Sequence, residues 1–126
     1  MTTPTVGAAL VTGCSTGIGR ATALALHQAG LAVVATARRP ETLADLAALG
    51  IETHALDVTS EESMTEAVRT VEERHGHVSV LVNNAGYALQ GPVEDTPIDA
   101  VRDQLETNVI GLVRLTQLVL PGMRAA

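Results

Sequence analysis

The chain has 126 residues, of which 46% are hydrophobic and one, Tyr87, is aromatic, and it carries a formal net charge of −6. That length predicts one domain, residues 1–126, with a core built from Ala, Val and Leu. All eight cations are arginines, scattered rather than clustered, which excludes nucleic acid as the main partner.

The single cysteine, Cys14, rules out an internal disulfide and reads as a small residue in a tight loop rather than a nucleophile. Residues 1–5 lack the charged-then-apolar pattern of a signal sequence. The longest apolar run, 109–120, contains Arg114 and Gln117 and is too short to span a bilayer. A soluble, cytoplasmic protein is expected, with no membrane partner. The four histidines show no metal-ligand spacing, so no metal is expected.

Strand-length apolar runs alternate with helix-period segments four times. The first strand is predicted over 6–12 and the first helix over 17–29, with Gly30 as its stop. A second strand follows at 31–37. Pro40 opens a short helix over 41–49, which Gly50 ends. A third strand covers 51–56. Thr59 and Glu62 match a capping box for a helix running to His75, stopped by Gly76. The fourth strand, 78–83, reads as a central strand buried on both faces, and without a following strand it becomes an open apolar edge. A loop of Gly, Pro and acidic residues leads to a last helix over 98–120, which Pro121 ends or kinks. Val101, Leu105, Val109 and Leu112 mark its apolar stripe, with Asn108 beside it.

Strand and helix alternating at this spacing predict an α/β, Rossmann-type doubly wound parallel sheet in the order 3-2-1-4. The segment Thr12-Gly13-Cys14-Ser15-Thr16-Gly17-Ile18-Gly19 then joins the first strand to the first helix. Backbone amides in a helix's first turn lack intrahelical partners, and the helix dipole adds positive charge there. Glycines let a pyrophosphate approach them, so the segment predicts a dinucleotide site. Ser15 and Thr16 offer hydroxyls to the phosphate or to the helix cap.

The end of the second strand bears on which dinucleotide fits. An acid there would bond the ribose 2′-hydroxyl and repel a 2′-phosphate. The sequence instead has Thr36-Ala37-Arg38-Arg39. Arg38 can pair a phosphate through its planar fork and stack on adenine. NADP(H) is therefore favoured, with NAD(H) the alternative. Arg39 reads as a solvated loop charge.

The spacing Gly13-x3-Gly17-x-Gly19, followed by Asp57-Val58, Asn83-Asn84-Ala85-Gly86 and Asn108, resembles the short-chain dehydrogenase/reductase family. The resemblance runs from Val6 to Arg124. It implies a cofactor site made by Gly13, Ser15, Thr16, Gly17, Ile18, Gly19, Arg38, Asp57, Val58, Asn84, Ala85 and Gly86. Asp57 would meet the adenine amino group, and it also suits a turn before the helix. Asn83 would be structural, joining neighbouring strands. Asn108 would hold a relay water linked to a catalytic lysine. The implied reaction is hydride transfer between an alcohol or ketone and the nicotinamide, and the family often dimerises through the fourth helix.

Hydride transfer to a carbonyl needs an acid for the developing alkoxide. The family supplies a Ser, a Tyr and a Lys four residues beyond the Tyr. Here Gly91 stands four residues after Tyr87, and the chain contains no lysine. The sequence therefore reads as the amino-terminal, cofactor-binding half of such an enzyme, truncated before the later strands and inactive alone. An alternative is a non-catalytic dinucleotide-binding module.

Overall fold

The computed structural model describes residues 6–126. The expectation about residues 1–5 lies outside the described residues. Four parallel strands form one sheet in the order β3-β2-β1-β4, as the spacing implied. They are β1 (Ala8–Val11), β2 (Val33–Ala37), β3 (Glu52–Ala55) and β4 (Val78–Val82). β1 and β2 consist of Ala, Val, Leu and Thr and are buried at every position, because helices cover both faces.

On one face α1 (Gly17–Gln28) and α2 (Ala44–Ala48) cover Ala9, Val11, Ala35 and Ala37; a 3-10 turn (Pro40–Leu43) leads into α2. On the other face α3 (Glu61–His75) and α5 (Gly111–Ala125) cover Leu10, Val34 and Val78. The chain leaves β3 at one edge and returns beside β1 as β4. The carboxyl ends of β1 and β4 thereby flank the point where strand order reverses, the place for a ligand crevice in such sheets. The architecture is doubly wound and Rossmann-like.

Two local expectations are corrected. The cap of α3 is Ser60, whose Oγ accepts from the Ser63 amide at 3.2 Å, rather than Thr59 of a capping box. Thr59 is held one residue earlier in the turn by Asp57, to which its amide and hydroxyl both donate. Pro121 does not end the last helix, which continues to Ala125. Leu115 and Val119, fully buried on α3 and the sheet, and Met123 beyond the proline hold that end by packing.

The last helix is also not uniform. It comprises α4 (Ile98–Leu105), a π-helical segment (Glu106–Ile110) and α5. Its buried face is Gly111, Leu115 and Val119, whereas Leu105, Val109 and Leu112 of the expected stripe are exposed. β4 lies at the edge of this four-stranded sheet, as the order 3-2-1-4 requires, and Val80, level with Ala9, is 38% exposed. No helix among the described residues is long and apolar enough to cross a membrane.

Candidate functional site

The β1–α1 junction is built for close approach. Gly13 and Gly17 both have positive φ, at 68° and 63°, and a Cβ at Gly17 would point into open space. A Cβ at Gly19 would collide with the Gly13 carbonyl and the Asn84 amide. Gly17 thus gives the turn its left-handed residue, and Gly19 lets α1 sit against the strand ends.

Thr16 occupies the N-cap position of α1 in extended conformation, but neither it nor another side chain caps the first turn. No acidic residue lies in that turn. Ser15, Thr16, Gly17 and Ile18 are exposed, Ile18 at 78%. Uncapped amides, a glycine cradle and an absence of nearby carboxylate in the turn together fit an anionic phosphate.

Thr12, mentioned in the sequence only as the residue before Gly13, organises the other wall. It is buried, and its Oγ1 accepts from the amides of Asn84 and Ala85, both at 2.9 Å. The Asn84 Nδ2 donates back to the carbonyls of Thr12 and Gly13, both at 3.1 Å. The Asn84 side chain therefore joins β1 to β4, the role the resemblance assigned to Asn83. Asn83 reaches the opposite way, its Nδ2 donating to Thr116 of α5 at 3.1 Å. A polar residue ending an apolar run was the signal for Thr12.

Beyond this turn, Gly86 packs against Asn108, whose Oδ1 would lie 3.0 Å from an added Cβ. Asn108 lies in the π segment. Its Oδ1 accepts from the Tyr87 amide at 3.0 Å and its Nδ2 donates to the Tyr87 carbonyl at 2.8 Å. Gln104 donates to the same carbonyl at 3.1 Å. The amide of Asn108 thus fastens the loop that leaves β4. π segments often mark functional places in helices, and this one carries the asparagine the motif singled out.

Asp57 follows β3. Its Oδ1 accepts from the amide and the hydroxyl of Thr59, and its own amide donates to Ser63 Oγ at 2.9 Å, so the turn role is formed. Val58 buries its side chain against α3 and α5, and a Cβ at Gly111 would strike its carbonyl. Arg38, the first residue after β2, is exposed and joins no ion pair among the described residues. Cys14 is buried, and burial pushes its thiol pKa up, which suits packing and not nucleophilic chemistry.

A cavity of about 670 Å³ opens beside the glycine loop. Ser15, Thr16 and Gly17 form one wall, with Arg20; Glu41, Thr42 and Asp45 form the other. Arg20 grips the Asp45 carboxylate with both terminal nitrogens, which holds that carboxyl below the usual range. Sequence reading missed this pair, because the residues lie 25 positions apart on different helices.

The family model for short chain dehydrogenases matches residues 7–126. A short-chain dehydrogenase structure from Streptomyces avermitilis superposes with a TM-score of 0.91 and 43% identity, covering 99% of this chain and 46% of that one. An alcohol dehydrogenase from the archaeon Thermococcus sibiricus, complexed with 5-hydroxy-NADP, gives a TM-score of 0.88 and 33% identity, over 94% of this chain and 54% of that one. The NADPH-dependent 1-acyldihydroxyacetone phosphate reductase of Schizosaccharomyces pombe is 40% identical over 110 residues, 86% of this chain and 37% of the yeast protein. The chain spans about half the length, or less, of such relatives. With its glycine loop, strand order and Asn83–Gly86 turn all in place, the chain belongs to the short-chain dehydrogenase family.

Proposed function

We propose that this chain forms the cofactor-holding part of an NADP(H)-dependent oxidoreductase that interconverts an alcohol and a carbonyl. The carrying observation is the uncapped first turn of α1, which contains no acidic residue of its own, together with an exposed Arg38 and no acid at the end of β2. Gly13, Ser15, Thr16, Gly17, Ile18 and Gly19 would cradle the pyrophosphate, and Arg38 the 2′-phosphate. Asp57 and Val58 would border the adenine, while Asn84, Ala85 and Gly86 line the crevice. When bound, the nicotinamide supplies or accepts the hydride. Two relatives support the choice of NADP(H): one is named NADPH-dependent, and one was solved with an NADP derivative.

The chain contains no lysine, and Tyr87 has no partner at the family's spacing, so binding without turnover is expected of these 126 residues. Where a Ser, Tyr and Lys complete the site, Asn108 takes the relay role beside the loop it fastens. The exposed apolar face at Leu105, Val109, Ile110, Leu112 and Val113 supports self-association through the last helix.

Calorimetric titration with NADPH and NADH tests the cofactor assignment. Tighter binding of NADPH is expected, with Arg38→Gln reducing it by roughly tenfold and leaving NADH unaffected. Preference for NADH would overturn the assignment.

A further inference from the structure

We propose that Arg20 is a second cation for the 2′-phosphate and that Asp45 is its internal counter-ion, so that this pair tunes discrimination between NADP(H) and NAD(H). The proposal rests on the reading that the glycine loop and Arg38 receive a 2′-phosphorylated dinucleotide.

Arg20 is the fourth residue of α1, and its guanidinium forms part of the cavity wall beside Ser15, Thr16 and Gly17. That cavity adjoins the segment that follows Arg38. Thr42, on its opposite wall, binds the Arg39 carbonyl through its hydroxyl at 2.7 Å and its amide at 3.1 Å. In this reading the phosphate lies between the exposed Arg38, three residues before Glu41 but outside the cavity lining, and the wall that Arg20 forms.

The Arg20 side chain is 30% exposed and that of Asp45 is 60% exposed, so both are accessible from the cavity mouth. A guanidinium fork fits carboxylate and phosphate alike, and the Asp45 carboxylate thus holds the donors a phosphate would use. Glu41 contributes a second carboxylate to the same cavity. The charged groups lining it are one cation, Arg20, and two anions, Glu41 and Asp45, so Asp45 weakens phosphate binding both by occupying Arg20 and by its own charge. The ordering cost of the pair is already met in the fold, because α1 and the 40–48 segment pack on the same side of the sheet.

The test is titration of the chain with NADPH and with NADH, for the wild type, Asp45→Asn, Arg20→Gln and Arg20→Lys. Asp45→Asn is expected to tighten NADPH by about fivefold, and Arg20→Gln to weaken it by roughly fivefold, with NADH unchanged in both. Arg20→Lys should recover part of the loss, since it keeps the charge and loses the fork. If the ratio of the two affinities stays at the wild-type value in Asp45→Asn, or if Arg20→Gln weakens both ligands equally, the pair is a structural clamp and the proposal is overturned. Should Arg20→Gln not fold by circular dichroism, the Asp45→Asn and Arg20→Lys titrations decide. An Arg38→Gln chain separates the two levels: loss of NADPH preference there with no response to Asp45→Asn refutes only the Arg20 assignment. A wild type that prefers NADH refutes both.

Discussion

Thr12 shows how much one hydroxyl can organise. Its Oγ1 serves two amides of the β4 turn while the side chain is buried, so Thr12→Val leaves the Ala85 N–H without an acceptor and the Asn84 N–H with the Val82 carbonyl alone, at 3.1 Å. A loss of about 1–3 kcal/mol in urea unfolding is expected, together with weaker NADPH binding, because the turn that lines the crevice loses its anchor. Gly19 is constrained differently. A methyl group there meets the Gly13 carbonyl and the Asn84 amide, neither of which can move without opening the β1–β4 junction. Gly19→Ala is expected to reduce thermal stability and to abolish measurable NADPH binding in the same titration. Both residues lie inside the stretch the sequence singled out. The glycine was legible from its spacing, whereas the importance of Thr12 depends on two amides more than 70 positions away.

The helices show how far short-range signals reach. Gly30, Gly50 and Gly76, all with positive φ, stand where the sequence placed the helix stops. Ser60 caps α3, with Glu61 and Glu62 in its first turn and Arg74 and His75 in its last, an arrangement that complements the helix dipole. Ser60→Ala should cost about 1 kcal/mol. The sequence favoured Thr59 through its spacing to Glu62, and the Asp57 turn that captures Thr59 leaves the cap to Ser60.

The last helix is tied to α3 by Arg114, which donates to both carboxylate oxygens of Glu61. That contact holds the Glu61 pKa below the usual carboxylate range. A carboxylate whose folded pKa is lowered stabilises the fold above its unfolded pKa, and the contribution fades as pH falls through the folded value. The stability difference between wild type and Arg114→Gln should therefore be constant above about pH 5 and shrink in more acidic solution, followed by urea midpoints. A difference that grows on acidification would show that the contact acts through something other than Glu61 ionisation. Gly111, the first residue of α5, admits the Val58 carbonyl, and Gly111→Ala is expected to cost about 1–3 kcal/mol by overpacking.

At the scale of the molecule, two exposed apolar places among the described residues bear on association. One is Val80 on the edge strand β4; the other is the outward face of the last helix at Leu105, Val109, Ile110, Leu112 and Val113. An unpaired strand edge and a contiguous apolar face both promote association. Light scattering should find the chain as a dimer or larger, and Val109→Glu with Val113→Glu should shift it toward monomer. A monodisperse wild-type monomer would remove the basis for self-association. The sequence marked the last helix's apolar stripe, but periodicity reports an apolar side without saying what covers it.

The sequence by itself determined the alternation of strands and helices, the sheet order, the glycine turn and the family, since each rests on local spacing and on topology rules that leave few alternatives. It also located Arg38, because an acid or a base at the end of the second strand has a direct electrostatic meaning. Only the tertiary structure decided which side chains meet. It placed Asn84 on the carbonyls of Thr12 and Gly13, Asn108 on the Tyr87 backbone in a π segment, and Arg20 on Asp45. Those contacts join residues from 21 to 72 positions apart, and their partners are chosen by packing across elements, which no local pattern encodes.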